Sequence, residues 1–184
     1  MFRRVLFPGL CALLGCVAFT GAGRAEMKQI QTARLHTQLH IDAAAAPIWA
    51  YATRGSNFEE WMPMWKRPRN ARINLVKVGD WLQFIDEWNN KGRSVVTYIE
   101  RDKELRLAND PEDGSFMCQV KLTLDPDPRQ GTMVHLYEQY TDESPSSDFN
   151  ATAQKVQAGM ERALKSLKTE TENRKRTVPR RGSR

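Results

Sequence analysis

The chain of 184 residues is poor in cysteine, in histidine and in long apolar runs. Its three cysteines are Cys11, Cys16 and Cys118. The first two fall in MFRRVLFPGLCALLGCVAFTGAGRAE, which has the parts of an export signal. Arg3 and Arg4 give a positive start, Val5 to Phe19 form an apolar stretch broken by Pro8 and Gly9, and Gly23-Arg24-Ala25 places small residues for cleavage after Ala25. The run falls short of the roughly 20 residues that a membrane span needs. The expectation is a signal peptide over 1–25 and a periplasmic or secreted protein. Leu13–Cys16 also partly matches a lipoprotein box, so anchoring at Cys16 is the alternative, although apolar Val17, Ala18 and Phe19 follow it. Arg3-Arg4 on so short an n-region is a weak pointer to twin-arginine export. Cleavage leaves Cys118 alone, which excludes an internal disulfide in the mature chain. An unpaired thiol of this kind packs as a small hydrophobe.

Basic character is also scarce where a fold would use it. The formal net charge is +6, yet residues 26–173 carry 19 Lys and Arg against 22 Asp and Glu. The excess sits in the leader and in RKRTVPRRGSR, Arg174–Arg184, which has six basic residues and no acid. That tail has nothing apolar to bury and is expected to be disordered. It is suited to weak contact with an anionic membrane. No specific nucleic acid binding is expected.

Internal repeats, Gly-Ser linkers, a Gly-rich phosphate loop, a serine-nucleophile signature and metal-spaced Cys/His clusters are all missing. One domain over 26–173, without cofactor or metal, is the expectation. Of the three histidines, His36 and His40 lie on one strand face about 13 Å apart, at roughly 3.3 Å per residue, too far for one metal ion. His135 stands between Met133 and Tyr137.

What is present is a clear succession of periodicities. ARLHTQLHI (Ala33–Ile41) alternates, with Leu35, Thr37, Leu39 and Ile41 on one face, and predicts a half-buried strand. DAAAAPIWAYATRG (Asp42–Gly55) predicts a short helix capped by an acid, with Pro47 near its first turn and Gly55 at its end. A second short helix around Asn57–Trp61 must stop before Pro63. From Ala71 the pattern turns to strands: ARINLVKVGD, WLQFIDEW, a turn at NNKG (Asn89–Gly92), RSVVTYIERDKELRLA, a turn at NDPEDG (Asn109–Gly114), SFMCQVKLTL, DPDPRQG and TMVHLYEQYT. Short turns between neighbouring strands predict an antiparallel meander. Between Asp148 and Asn173 there is no proline. There Ala153, Val156, Met160, Ala163, Leu164 and Leu167 recur at three- and four-residue steps, which predicts a long amphipathic helix capped by Ser147 or Asp148. An antiparallel sheet with one long helix must fold over that helix to hide its apolar face.

The order and spacing of four segments resemble the START-related superfamily of polyketide cyclases, lipid-transfer domains, the major birch pollen allergen and heat-shock-chaperone activators (SRPBCC). IDAAAAPIWAYAT is similar to that family's first strand and helix, NFEEWMP to the end of its second helix at Trp61, and VGDW to its turn before a strand. GTMVHLYEQY and GMERALKSLKTETE are similar to its last strand and closing helix. The family often has Trp where Met160 stands. The resemblance, over roughly Gln31 to Glu172, implies an α+β helix-grip fold: a curved antiparallel sheet of about six to seven strands around the C-terminal helix, with an apolar cavity beneath that helix.

Within that frame SNFEEWMPMWKRP (Ser56–Pro68) is the informative stretch. Trp61, Met62, Met64 and Trp65 flank Pro63, with Trp49 one helix earlier and Trp81, Phe84 and Trp88 beyond; Trp81 alternates away from the last two. Ligand pockets are mostly apolar and aromatic, and Met makes a deformable wall. The expected ligand-binding set is Trp61, Met62, Met64, Trp65, Phe84, Trp88, Phe116, Val134, Leu136, Tyr140, Val156, Met160 and Leu164. Glu138 shares the Val134 and Leu136 face, where burial would raise its pKa and suit it to general-base chemistry. The expectation is an exported carrier of a hydrophobic or amphiphilic small molecule (a lipid, polyketide or aromatic metabolite). The alternative is a cyclase or dehydratase using Glu138, Tyr140 or Tyr98 as acid and base. A third reading is an interaction module docking through the basic tail.

Overall fold

A computed structural model of the chain describes residues 30–62, 65–66, 73–114, 116–127, 131–142 and 148–177. The elements run β1 (Gln31–Ile41), α1 (Ala45–Ala52), a 3-10 turn (Gly55–Asn57), α2 (Phe58–Trp61), β2 (Trp81–Ile85), β3 (Lys91–Glu100), β4 (Glu104–Pro111), β5 (Phe116–Asp127), β6 (Gly131–Asp142) and α3 (Phe149–Thr177). The strands form one antiparallel sheet in the order β1-β6-β5-β4-β3-β2. Consecutive strands from β2 to β6 are neighbours, while α1 and α2 carry the chain from the β1 edge to the β2 edge. This is a helix-grip arrangement, with α3 held against the curved sheet.

Alternation decides which side chains meet α3. On β5 the inward residues Cys118, Val120, Leu122 and Leu124 are buried, and on β6 so are Val134, Leu136 and Glu138. The stripe on α3, Val156, Met160, Ala163, Leu164 and Leu167, is buried against them. Asp148 caps the helix, its Oδ1 accepting the Ala151 N–H at 3.2 Å. The free edge of β1 is partly covered from α3. The His36 carbonyl accepts from Gln157 Nε2 at 3.3 Å and the His40 carbonyl from Lys168 Nζ at 2.8 Å. Polar caps of this kind block edge-to-edge pairing.

Three local expectations are corrected. The helix after β1 starts at Ala45 behind Ala44, with no side-chain cap. Asp42 instead gives its backbone N–H to Glu172 Oε1 at 2.9 Å, tying the end of β1 to α3. The expected strand in ARINLVKVGD is absent among the described residues, which hold six strands in all. Asp80 Oδ2 accepts the N–H groups of Val76 and Lys77 at 2.8 and 2.9 Å and closes a turn there. Val76 and Val78 consequently face solvent. Finally, α3 continues past Asn173 to Thr177, and the Arg174 guanidinium lies 4.6 Å from the centre of the Tyr51 ring. Residues 178–184 and the leader 1–25 lie outside the described residues.

Candidate functional site

A half-open cavity of about 330 Å³ lies under the first turns of α3. Its roof is Thr152, Lys155 and Val156; one wall is Trp65, Phe84 and the turn after β2; its floor is the inner face of β4, β5 and β6. Two aromatic groups frame it. Trp65 stacks between Phe58 and Phe84, with ring centroids 5.4 Å apart on each side. Opposite, Tyr140 packs against Phe116 at 5.5 Å and Phe149 at 6.0 Å. Phe84 reaches its place because Gly92 faces it across the β2–β3 pair. A Cβ on Gly92 would come within 2.7 Å of Phe84 Cζ and would also collide with the Asp110 carbonyl.

Asp86 fixes the rim rather than offering itself to a ligand. Its Oδ1 accepts the N–H groups of Trp88 at 3.0 Å and Asn90 at 2.7 Å, and its Oδ2 accepts Asn90 Nδ2 at 2.8 Å. Between them Asn89 takes φ 68°, a left-handed geometry that Asn tolerates. The turn so formed holds Trp88 at the mouth, partly exposed.

Across the floor runs a polar seam, one side chain per strand from β3 to β6. Ser94 Oγ donates to Asn109 Oδ1 at 2.6 Å, Asn109 Nδ2 to Cys118 Sγ at 3.4 Å, and Cys118 Sγ to Glu138 Oε1 at 3.0 Å. Glu138 is 7 % exposed. Burial pushes its carboxyl up from 4.5 to about 7, opposed by the Cys118 hydrogen bond. Burial and the neighbouring Glu138 push the Cys118 thiol well up, which favours the protonated form. Burial, with Asp142 next, raises the Tyr140 phenol to about 12. The cavity therefore presents apolar rings, the Asn109–Cys118–Glu138 seam and the Tyr140 phenol, with Lys155 at its roof and the Asp86 and Asp142 side chains in its lining. Among the described residues no group of three or more His, Cys, Asp or Glu side chains is arranged to hold a metal ion.

Of the residues expected to contact ligand, Trp65, Phe84, Trp88, Phe116, Tyr140 and Val156 line this cavity, as does Glu138. Met64 and Pro63 lie outside the described residues. The others do not line it. Trp61 and Met62 turn inward from α2 and are 1 % exposed, with Trp61 packed on Phe58 at 5.4 Å. Val134, Leu136, Met160 and Leu164 fill the core beside the cavity, because α3 seats directly on the sheet there. Tyr98 lies on the outer side, after a register shift in β3, with Arg106 over its ring. Asp86, Asn90, Asn109, Cys118, Asp142, Thr152 and Lys155 line the cavity without having been singled out. Cys118 is buried, as an unpaired thiol that packs as a small hydrophobe should be, and its seam with Asn109 depends on the strand register.

The sequence pattern of the family described as polyketide cyclase / dehydrase and lipid transport matches residues 32–172. Among solved structures, a protein of unknown function from Staphylococcus aureus is similar with a TM-score of 0.63 and 10 % identity, over 81 % of this chain and 99 % of that one. An uncharacterized protein from Rhizobium leguminosarum gives 0.59 at 14 % identity, over 79 % and 97 %. DynU16, a protein of the dynemicin biosynthetic locus, gives 0.55 at 16 % identity, over 76 % of this chain and 47 % of its own. At such identities the likeness is one of fold. No curated protein matches the sequence.

Proposed function

Because the chain belongs to the polyketide cyclase / dehydrase and lipid transport family, we propose that it binds a hydrophobic or amphiphilic small molecule in the cavity under the start of α3. The observation that carries this reading is the cavity itself, with two aromatic groups as walls and a polar seam as floor. Its volume is at the lower end of ligand pockets, which run from about 300 to 1,000 Å³, and favours one ring system or a short acyl chain. Apolar surface buried between Trp65, Phe84, Phe116 and Tyr140 stabilises the complex at roughly 25 cal/mol per Å² before the costs of association. An oxygen on the ligand is met by Glu138 as a protonated donor or by Tyr140. In this proposal the protein acts outside the cytoplasm, after loss of a leader over 1–25; an intact mass for the exported chain that still includes those residues contradicts that part.

Trp65 and Trp88 line the cavity, so bound ligand should change tryptophan emission. Titration with a panel of acyl-chain and polycyclic aromatic ligands is expected to give saturable, single-site curves for at least one class. Flat responses across the whole panel remove the carrier reading.

A second reading, catalysis in the same cavity, is favoured by one observation: a carboxyl pushed up to about 7 exchanges its proton near neutral pH. It requires turnover of a polyketide-like substrate that disappears in Glu138→Gln while ligand binding persists. Equal turnover in the variant excludes Glu138 as the acid or base.

A further inference from the structure

On the outer face of the sheet, away from the cavity, strand pairing joins two histidines that lie 99 positions apart in sequence. In the register of β1 and β6, His36 faces Tyr137 and Gln38 faces His135, so His36 and His135 are diagonal neighbours. Their rings lean together, His36 Nε2 standing 3.3 Å from His135 Nδ1. The Tyr137 ring lies 4.3 Å from that of His36 at an interplanar angle of 12° and fixes its plane. Asp125 Oδ2 lies 3.2 Å from the other nitrogen of His135, Nε2.

We propose that His36 and His135 form a two-imidazole chelate for a divalent transition metal ion of the class that imidazole favours: Zn²⁺, Cu²⁺ or Ni²⁺. Two nitrogens each about 2.0–2.1 Å from a tetrahedral ion lie about 3.3–3.4 Å apart, which is the separation found. Asp125 supplies the orienting contact that metal-bound histidines use. At 3.2 Å from Nε2 of His135 it favours the tautomer with the proton on that nitrogen, which leaves the Nδ1 lone pair for the metal on the His36 side. His36 binds once its proton moves to Nδ1, freeing Nε2. Both strands are rigid members of the sheet, so little ordering is lost on binding. The opposing charges nearby are Arg34, two positions before His36 on the same face of β1, and Lys121, whose Nζ lies 4.1 Å from the centre of the Tyr137 ring, on the partner of His36 rather than on the chelate. Two protein ligands leave the remaining positions to water or to a group from another molecule.

The chain has only three histidines, so the assignment is clean. The full metal-free chain would be titrated with Cu²⁺ alone and followed by electron paramagnetic resonance and calorimetry. One equivalent is expected to bind, with hyperfine splitting from two imidazole nitrogens. His36→Ala or His135→Ala should weaken binding at least about tenfold and leave one coupled nitrogen, and Asp125→Asn should weaken it by about tenfold, as loss of an orienting partner does. His40→Ala should change neither. Absence of saturable binding, a spectrum with fewer than two nitrogens in the unaltered chain, or a site that survives removal of both His36 and His135 overturns the proposal. If a histidine variant fails to fold, the nitrogen count of the unaltered chain and the exposed Asp125→Asn variant decide.

Discussion

Glu138→Gln is expected to flatten the pH dependence of stability between about pH 4.5 and 7, and to gain on the unaltered protein as pH rises. The Glu138 carboxyl is buried, and its pKa is pushed up from 4.5 to about 7 by that burial. Below 4.5 the folded and unfolded chains both carry the proton. Through the window the folded chain holds more protons than the unfolded one, so stability falls as pH rises, and the loss is complete above about 7. A shift of this size corresponds to about 3 kcal/mol. Gln keeps the shape, still accepts from Cys118 and never ionises. Urea unfolding at about pH 5 and about pH 8 should therefore show the variant gaining up to about 3 kcal/mol on the unaltered protein between the two conditions. Parallel stability curves would mean that the carboxyl is solvated and not part of a dry floor.

The second large effect separates packed core from hollow. Met160 and Val156 share one face of α3 and are one turn apart, 0 % and 3 % exposed. Met160 is surrounded by the solid part of the core, whereas Val156 lines the cavity. Met160→Ala leaves a new void and should cost about 2–5 kcal/mol. Val156→Ala only enlarges a void that exists, so it should cost no more than about 1–2 kcal/mol, the transfer of the lost methyl groups. Chemical denaturation of both variants measures the contrast. Equal, large losses would place Val156 in a core as tight as that around Met160.

That contrast also marks how far periodicity reads. Alternation along Phe116–Leu124 and Val134–Tyr140 and the three- and four-residue steps along α3 were enough for the sheet, the helix and their facing sides. They say which face is inward, but not where along α3 the contact opens. Met160, Leu164, Val134 and Leu136 therefore read in sequence like Val156 and Tyr140, and only the last two line the cavity. The strand expected at Ala71–Asp80 failed because the Asp80 carboxylate captures two backbone N–H groups and bends the chain, a side-chain effect that apolar patterning does not carry. The Ser94–Asn109–Cys118–Glu138 seam and the His36–His135 pair both depend on register between strands. In sequence Asn109 reads as a turn residue and His36 as a lone surface histidine.

The central claim is that the space under the first turns of α3 is where ligand goes. Val156→Trp projects an indole into that space from a helix seated by Met160, Leu164 and Leu167, which leaves the packed end of the molecule untouched. The decisive measurement is the binding isotherm of this variant for the tightest ligand of the unaltered protein, with its fold checked by circular dichroism. Affinity at least about tenfold weaker, with the fold retained, is the expected result for a filled pocket. Unchanged affinity in a folded variant would place the ligand elsewhere and leave the cavity without a function.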